Sequence, residues 1–91
     1  MSEHIAIEVV YADPDSQRSV FLQLAVGSTL GQCLSVAQGH HRFSDLQLLA
    51  LPVGVFGQLR EHSSVLQSGD RVEVYRPLVA DAKTQRRQRA K

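Results

Sequence analysis

Residues 63–77 read Ser63-Ser64-Val65-Leu66-Gln67-Ser68-Gly69-Asp70-Arg71-Val72-Glu73-Val74-Tyr75-Arg76-Pro77, and two kinds of local structure meet inside them. Up to Asp70 the stretch predicts one turn of 3₁₀ helix and then a tight turn, with Gly69 supplying a backbone conformation that other residues avoid. From Arg71 to Arg76 the side chains alternate. Val72 and Val74 fall on one face, and Arg71, Glu73 and Tyr75 on the other. Pro77 has no N–H for a sheet ladder and ends the strand. A strand this rich in valine belongs inside a sheet, so the chain before it must supply the neighbours.

Residues 4–12 supply the first neighbour. Ile5, Ile7, Val9 and Tyr11 share one face; Ala6, Glu8 and Val10 share the other, which is only partly polar, as suits a central strand. Asp13-Pro14-Asp15-Ser16 is turn chemistry. Residues 18–26 alternate again, with Val20, Leu22, Leu24 and Val26 against Phe21, Gln23 and Ala25, so the two runs form an antiparallel hairpin. Gly27 ends the second run, and Ser28 or Thr29 can cap a helix. Leu30, Cys33, Leu34 and Ala37 follow the spacing of one buried helical stripe, and Gly39 stands where the helix stops.

Residues 40–51 hold no single period: Phe43, Leu46, Leu48, Leu49 and Leu51 are apolar in a segment read as loop with one extra helical turn. Residues 53–57 predict a short third strand, and Leu59-Arg60 a brief fourth. The order is hairpin, helix, short strands, turn, final strand. A helix with one apolar face must cover one face of the sheet, and the first and last strands then lie parallel at its centre. The expected class is α+β, a β-grasp (ubiquitin-like) domain with a mixed sheet of four to five strands and one helix packed across it. The domain spans residues 1–79, followed by a basic, disordered tail over residues 80–91.

Composition narrows the function. Of 91 residues 43% are apolar, which excludes wholesale disorder. Cys33 is the only cysteine, so no intrachain disulfide or thiolate metal cluster can form. No apolar run nears the roughly 20 residues of a membrane span. Met1-Ser2-Glu3-His4 lacks the basic start and apolar stretch of a signal peptide, so cytoplasmic residence is expected. The net charge of +1 hides an asymmetry. Residues 1–79 are net acidic, whereas Lys83, Arg86, Arg87, Arg89 and Lys91 follow with Asp81 alone against them.

The run from Val65 to Val74 resembles the Leu-x-x-Gly-Asp-x-Val ending of small bacterial ubiquitin-like proteins, including sulfur carriers. A more specific resemblance rests on Ile7-Glu8-Val9-Val10-Tyr11-Ala12, Val53-Gly54-Val55-Phe56-Gly57 and Gly69-Asp70-Arg71-Val72-Glu73-Val74-Tyr75-Arg76-Pro77-Leu78, with Ala80-Asp81 and the arginine-rich tail after them. These look like the RnfH family, also labelled the RatB antitoxin-type family. The resemblance implies a ubiquitin-like fold. It further implies association with an ion-pumping Rnf electron-transport complex in some bacteria, and with a RatA-type toxin in others. Sulfur carriers and protein modifiers end in Gly-Gly, whereas this chain runs from Pro77-Leu78 into Arg89-Ala90-Lys91. Sulfur transfer or conjugation by that route is therefore the least expected reading.

Candidate chemistry is sparse. His4, His40, His41 and His62 show no metal-ligand spacing, and in an extended loop His40 and His41 would point apart. Cys33 sits in the helix's apolar stripe as a structural thiol. Asp13 and Asp15 are turn formers, and Ser63 and Ser64 lack a nucleophile motif. The expectation is no enzyme, no cofactor and no metal. What remains is binding by a monomeric module. The hairpin's second strand lies at a sheet edge, with Arg18, Phe21 and Gln23 expected on the face away from the helix. Tyr75 and Arg76 stand in the block that carries the resemblance. Lys83, Arg86, Arg87, Arg89 and Lys91 could meet an anionic surface, or nucleic-acid phosphates or a ribosome. The tail has no aromatic residue for base stacking.

Overall fold

In the computed structural model, which describes residues 3–12 and 17–76, β1 (His4–Tyr11) and β2 (Arg18–Ala25) pair antiparallel in unbroken register, from His4 opposite Ala25 to Tyr11 opposite Arg18. Helix α1 (Leu30–Gln38) follows. Then come β3 (Val53–Val55), β4 (Gln58–Leu59) and β5 (Arg71–Val74). The sheet order is β2-β1-β5-β3-β4. β5 lies parallel to β1 and antiparallel to β3. This is the expected β-grasp, with first and last strands side by side at the centre.

The turn before β5 sets that pairing. Gly69 takes a φ of +92°, and its N–H bonds to the Ala6 carbonyl at 2.8 Å. The Ser68 hydroxyl accepts from the Ala6 N–H at 3.1 Å. Asp70 accepts from the Gln67 N–H through its carboxylate at 2.8 Å, and its carbonyl takes the Glu8 N–H at 3.2 Å. Both ends of the turn are thus fastened to β1 before the parallel ladder starts.

Thr29 caps α1 in a complete capping box. Its hydroxyl accepts from the Gln32 N–H, and the Gln32 side chain accepts from the Thr29 N–H. The next free helix amides are taken by residues 62–66: Leu30 N–H bonds Ser64 O at 2.8 Å, and Gly31 N–H bonds His62 O at 2.9 Å. Gly39 stops the helix, but in a right-handed conformation (φ −75°), so it needs no left-handed freedom there. Leu30, Cys33, Leu34 and Ala37 are fully buried against Ile7, Val9, Val72 and Val74 of the central strands.

Four boundaries differ from the sequence expectation. Residues 40–51 contain two 3₁₀ turns, His41–Phe43 and Leu48–Ala50, which drive Phe43 and Leu48 into the core. A 3₁₀ turn repeats every three residues, so the segment shows no 3.6-residue period. The third strand stops at Val55. Phe56 and Gly57 have φ of +49° and +83° and form the two-residue loop of a hairpin. The fourth strand is Gln58–Leu59, one residue earlier than expected. Residues 63–67 form no 3₁₀ helix; Val65 instead bridges to Thr29. Gly54 has to be glycine, because a Cβ there would strike the Gln58 carbonyl, with its carbon 2.8 Å away. The Asp13–Ser16 turn, Pro77 and the basic tail lie outside the described residues.

Candidate protein-docking surface

The helix packs on one face of the sheet and leaves the other open among the described elements, although Val10 there is only 2% exposed. Register assigns that open face: Ser19, Phe21 and Gln23 from β2, Ala6, Glu8 and Val10 from β1, Arg71 and Glu73 from β5, and Gly54 and Leu59 from β3 and β4. One row crosses the sheet as Phe21, Glu8, Arg71 and then Phe56, whose N–H bonds the Arg71 carbonyl at 3.2 Å. Phe21 is 77% exposed and Phe56 62% exposed, at either end of a charged centre. Three strand spacings put the two aromatic positions roughly 14 Å apart. Leu59, 71% exposed, stands on the neighbouring row.

Glu73 organises one end of this face. Its Oε1 accepts from the Gly57 N–H at 2.7 Å and from the Tyr75 hydroxyl at 2.8 Å, and its Oε2 lies 3.6 Å from Arg71 Nε. Burial, and then the adjacent Glu73 carboxylate, push the Tyr75 phenol up to about 12. Arg71 Nε is shielded from solvent without a hydrogen-bond partner among the described residues. Glu73 therefore ties the strained Phe56-Gly57 loop to the central strand and holds Tyr75 as a neutral donor.

Of the residues singled out in the sequence, Phe21 and Gln23 stand on the open face as expected. Tyr75 and Arg76 are half-buried beyond the end of β5, and the Tyr75 N–H bonds the Pro52 carbonyl at 2.8 Å. Arg18 is a correction. It pairs with Tyr11 and shares the helix-side face with Val20 and Leu24, because its parity along β2 is theirs. Its guanidinium grips Asp45 through two bonds of 2.7 and 3.2 Å, donates to the Arg42 carbonyl at 2.9 Å, and lies 5.4 Å from the Tyr11 ring centre. Lys83, Arg86, Arg87, Arg89 and Lys91 lie outside the described residues.

The sequence reading missed Glu73, Arg71, Phe56 and Leu59. Their signal was there in part. Arg71 and Glu73 share Tyr75's parity, and Phe56-Gly57 between two short strands is a hairpin loop.

His40 and His41 are a second correction: they do not point apart but stack, with ring centres 4.5 Å apart, because His40 Nδ1 accepts the Arg42 N–H at the start of a 3₁₀ turn. Among the described residues no group of three or more His, Cys, Asp and Glu could hold a metal ion. Burial pushes the Cys33 thiol up to about 11, far from a reactive thiolate. A wide, shallow depression of about 460 Å³ is lined by Gln38, Leu46, Gln47, Leu49 and Ala50, none of them titratable. Gln38 is spent there on structure: its amide donates to the Phe43 and Leu46 carbonyls and accepts from Leu48 N–H. No helix is long and apolar enough to cross a membrane, among the described residues.

Comparison with known proteins bears on the family and the fold. The model of the RnfH family Ubiquitin matches residues 5–89. Protein RnfH of Psychromonas ingrahamii is 42% identical over 90 residues, covering 99% of this chain and 94% of that protein. Protein RnfH of Pseudomonas fluorescens is 48% identical over 88 residues, covering 94% and 85%. Among solved structures, SAMP1 from Haloferax volcanii superposes with a TM-score of 0.67 at 16% identity, covering 79% of this chain and 94% of its own. A ubiquitin from Caldiarchaeum subterraneum gives 0.62 at 16% identity, covering 79% and 91%. At such identities the structural likeness speaks for the fold alone.

Proposed function

The chain belongs to the RnfH family of ubiquitin-like proteins, and from that premise we propose that it is a non-catalytic module that docks a protein partner on the open face of its sheet. The observation that carries this reading is the row Phe21, Glu8, Arg71 and Phe56: two exposed aromatics whose backbones bracket a charged pair. Aromatic and arginine side chains are the residues that most often anchor protein interfaces. Phe56 strengthens the point, since a bulky residue at positive φ costs about 1 kcal/mol that a glycine would not. Its strain is retained with the ring in solvent, where it serves no core.

The partner this reading favours is a component of a Rnf-type membrane electron-transport complex, with this protein as a cytoplasmic accessory; a RatA-like protein is the alternative partner. Residues 1–79 would form the docking domain. The basic tail would add attraction to an anionic surface, with Lys83, Arg86, Arg87, Arg89 and Lys91 as its charges. Capture from native cell extract tests the proposal. The intact chain should retain one stoichiometric partner, and Phe21→Glu, which changes a solvent-facing side chain, should lose it while melting at the same temperature. Equal retention by both proteins would sink the open-face reading.

A further inference from the structure

The two edges of the sheet are built differently. One edge is β4, two residues long and folded tightly onto β3 at Gly54. The other is β2, eight residues in unbroken register with β1 and without a bulge. Residues 19–26, Ser-Val-Phe-Leu-Gln-Leu-Ala-Val, carry no charge and no proline. Soluble proteins usually blunt an exposed edge with a lysine, a proline, a bulge or a short strand. β4 is blunted in this way and β2 is not.

The direction of each β2 backbone group follows from the ladder. The Val26 N–H bonds the Glu3 carbonyl at 3.1 Å, so even-numbered residues of β2 exchange hydrogen bonds with β1. The β1 groups confirm the parity from the other side, because its even-numbered residues Ala6 and Glu8 bond toward β5 and the turn before it. The N–H groups of Ser19, Phe21, Gln23 and Ala25 therefore face outward, with the carbonyls of Ser19, Phe21 and Gln23. The Ala25 carbonyl is taken by the Ser28 N–H and hydroxyl, which closes that end. At the other end the Arg18–Asp45 pair holds residues 42–45 beside the strand.

We infer that the β2 edge receives an extended, uncharged segment of a protein partner, added as a sixth strand and bonded to the outward groups of Ser19, Phe21, Gln23 and Ala25. The inference rests on the docking-module reading and names the kind of segment it takes. Phe21, Gln23 and the open face would meet every second side chain of that segment; Val20, Leu22 and Leu24 would meet the others. Leu22 is only partly buried at present and gains cover from an aliphatic neighbour. A charge in the middle of the segment would be desolvated with nothing in residues 19–26 to pair it. A second copy of the chain is a poorer occupant. Edge-to-edge pairing along one strand of about 27 Å buries far less than the roughly 1,200 Å² of a stable interface.

The test uses the full chain and a blocked eight-residue peptide alternating threonine and valine, followed by amide hydrogen exchange. Exchange at Ser19, Phe21, Gln23 and Ala25 should slow by at least about tenfold with peptide, while Val20, Leu22 and Leu24, already bonded to β1, should not change. A peptide with aspartate at its two central positions should not bind. Gln23→Pro removes an outward N–H, which an edge strand tolerates, and should weaken binding by at least about tenfold, whereas Gln23→Thr should not. Unslowed odd-numbered amides at about 1 mM peptide would overturn the inference. Slowing that grows with protein concentration and needs no peptide would overturn it in favour of a second copy. Peptide effects confined to Glu8, Arg71 and Tyr75 would also overturn it, yet leave the open-face reading standing. Partner capture lost by Phe21→Glu but kept by Gln23→Pro would separate the two in the same way.

Discussion

Glu73 shows how much one solvent-edge side chain can settle. Its carboxylate accepts from the Gly57 N–H and the Tyr75 hydroxyl, so it fixes both the hairpin loop that carries Phe56 and the phenol beside it. Burial comes first among the causes that push the Tyr75 phenol up to about 12, and the Glu73 bond and charge come next. A raised pKa means the contribution to stability is complete below the ordinary value of 10.0 and is lost as pH rises through about 12. Glu73→Gln removes the charge and should bring the Tyr75 titration down toward its ordinary value. Alkaline absorbance titration of the phenolate, in a Tyr11→Phe background, reads it directly; an unmoved midpoint would show that burial acts alone. In the sequence Glu73 was legible only as the outward residue of a strand. Its partner Gly57 lies in the β3–β4 loop and Tyr75 just beyond β5, and nothing in spacing pairs a carboxylate with an amide sixteen residues away.

Helix α1 was the element most legible in the sequence, and the reason is local. A capping threonine, a glutamine three residues on and a stripe at 30, 33, 34 and 37 all act within one helix, where sequence distance and spatial distance agree. Thr29→Ala should cost about 1 kcal/mol, and Thr29→Ser should cost much less because it keeps the accepting oxygen. Urea unfolding measures both; an alanine variant as stable as the parent would mean that the carbonyls of Ser64 and His62 suffice to hold the helix start. Residues 40–51 show the opposite case. Phe43 and Leu48 are as buried as anything in the helix, but two short 3₁₀ turns place them, and three bonds from Gln38 brace the path between. No repeat survives in so short a segment, so the sequence offered one extra helical turn where there are two, and the role of Gln38 could not be read beforehand. The edge position of β2 was read correctly, while Arg18 was put on the wrong face although its parity with Val20 already decided the matter.

At the scale of the molecule, Arg18 and Asp45 join the edge of the sheet to the segment crossing from helix to β3. The Arg18 bond holds the Asp45 carboxyl below its ordinary value of 3.8, helped by a bond to its own backbone and by the guanidinium charge. A lowered value means that the stabilisation is complete above pH 3.8 and is lost as pH falls through the folded-state value. Asp45→Asn should therefore lower stability at neutral pH and flatten the acid limb of a stability–pH profile by that same amount, a small one since the pair is exposed and screened. An identical acid limb in parent and variant would show that other carboxylates carry it. The family came from the resemblance carried by the Gly69–Leu78 block and its companions. Fold class was separately within reach of the chain read as text, because strand alternation, one amphipathic stripe and the Gly69-Asp70 turn are all short-range signals. The β-grasp order followed from them, since a valine-rich last strand has to find its place beside the first. The edge position of β2 and the face of Phe21 and Gln23 were legible too, but the rest of the sheet face and the state of each edge were decided only in three dimensions. Which residues flank Phe21 across the strands, which amides of β2 point outward, and which of two edges is blunted all depend on register between segments far apart in sequence, and register is set by packing and by the turn latched to Ala6, not by any one segment's own pattern.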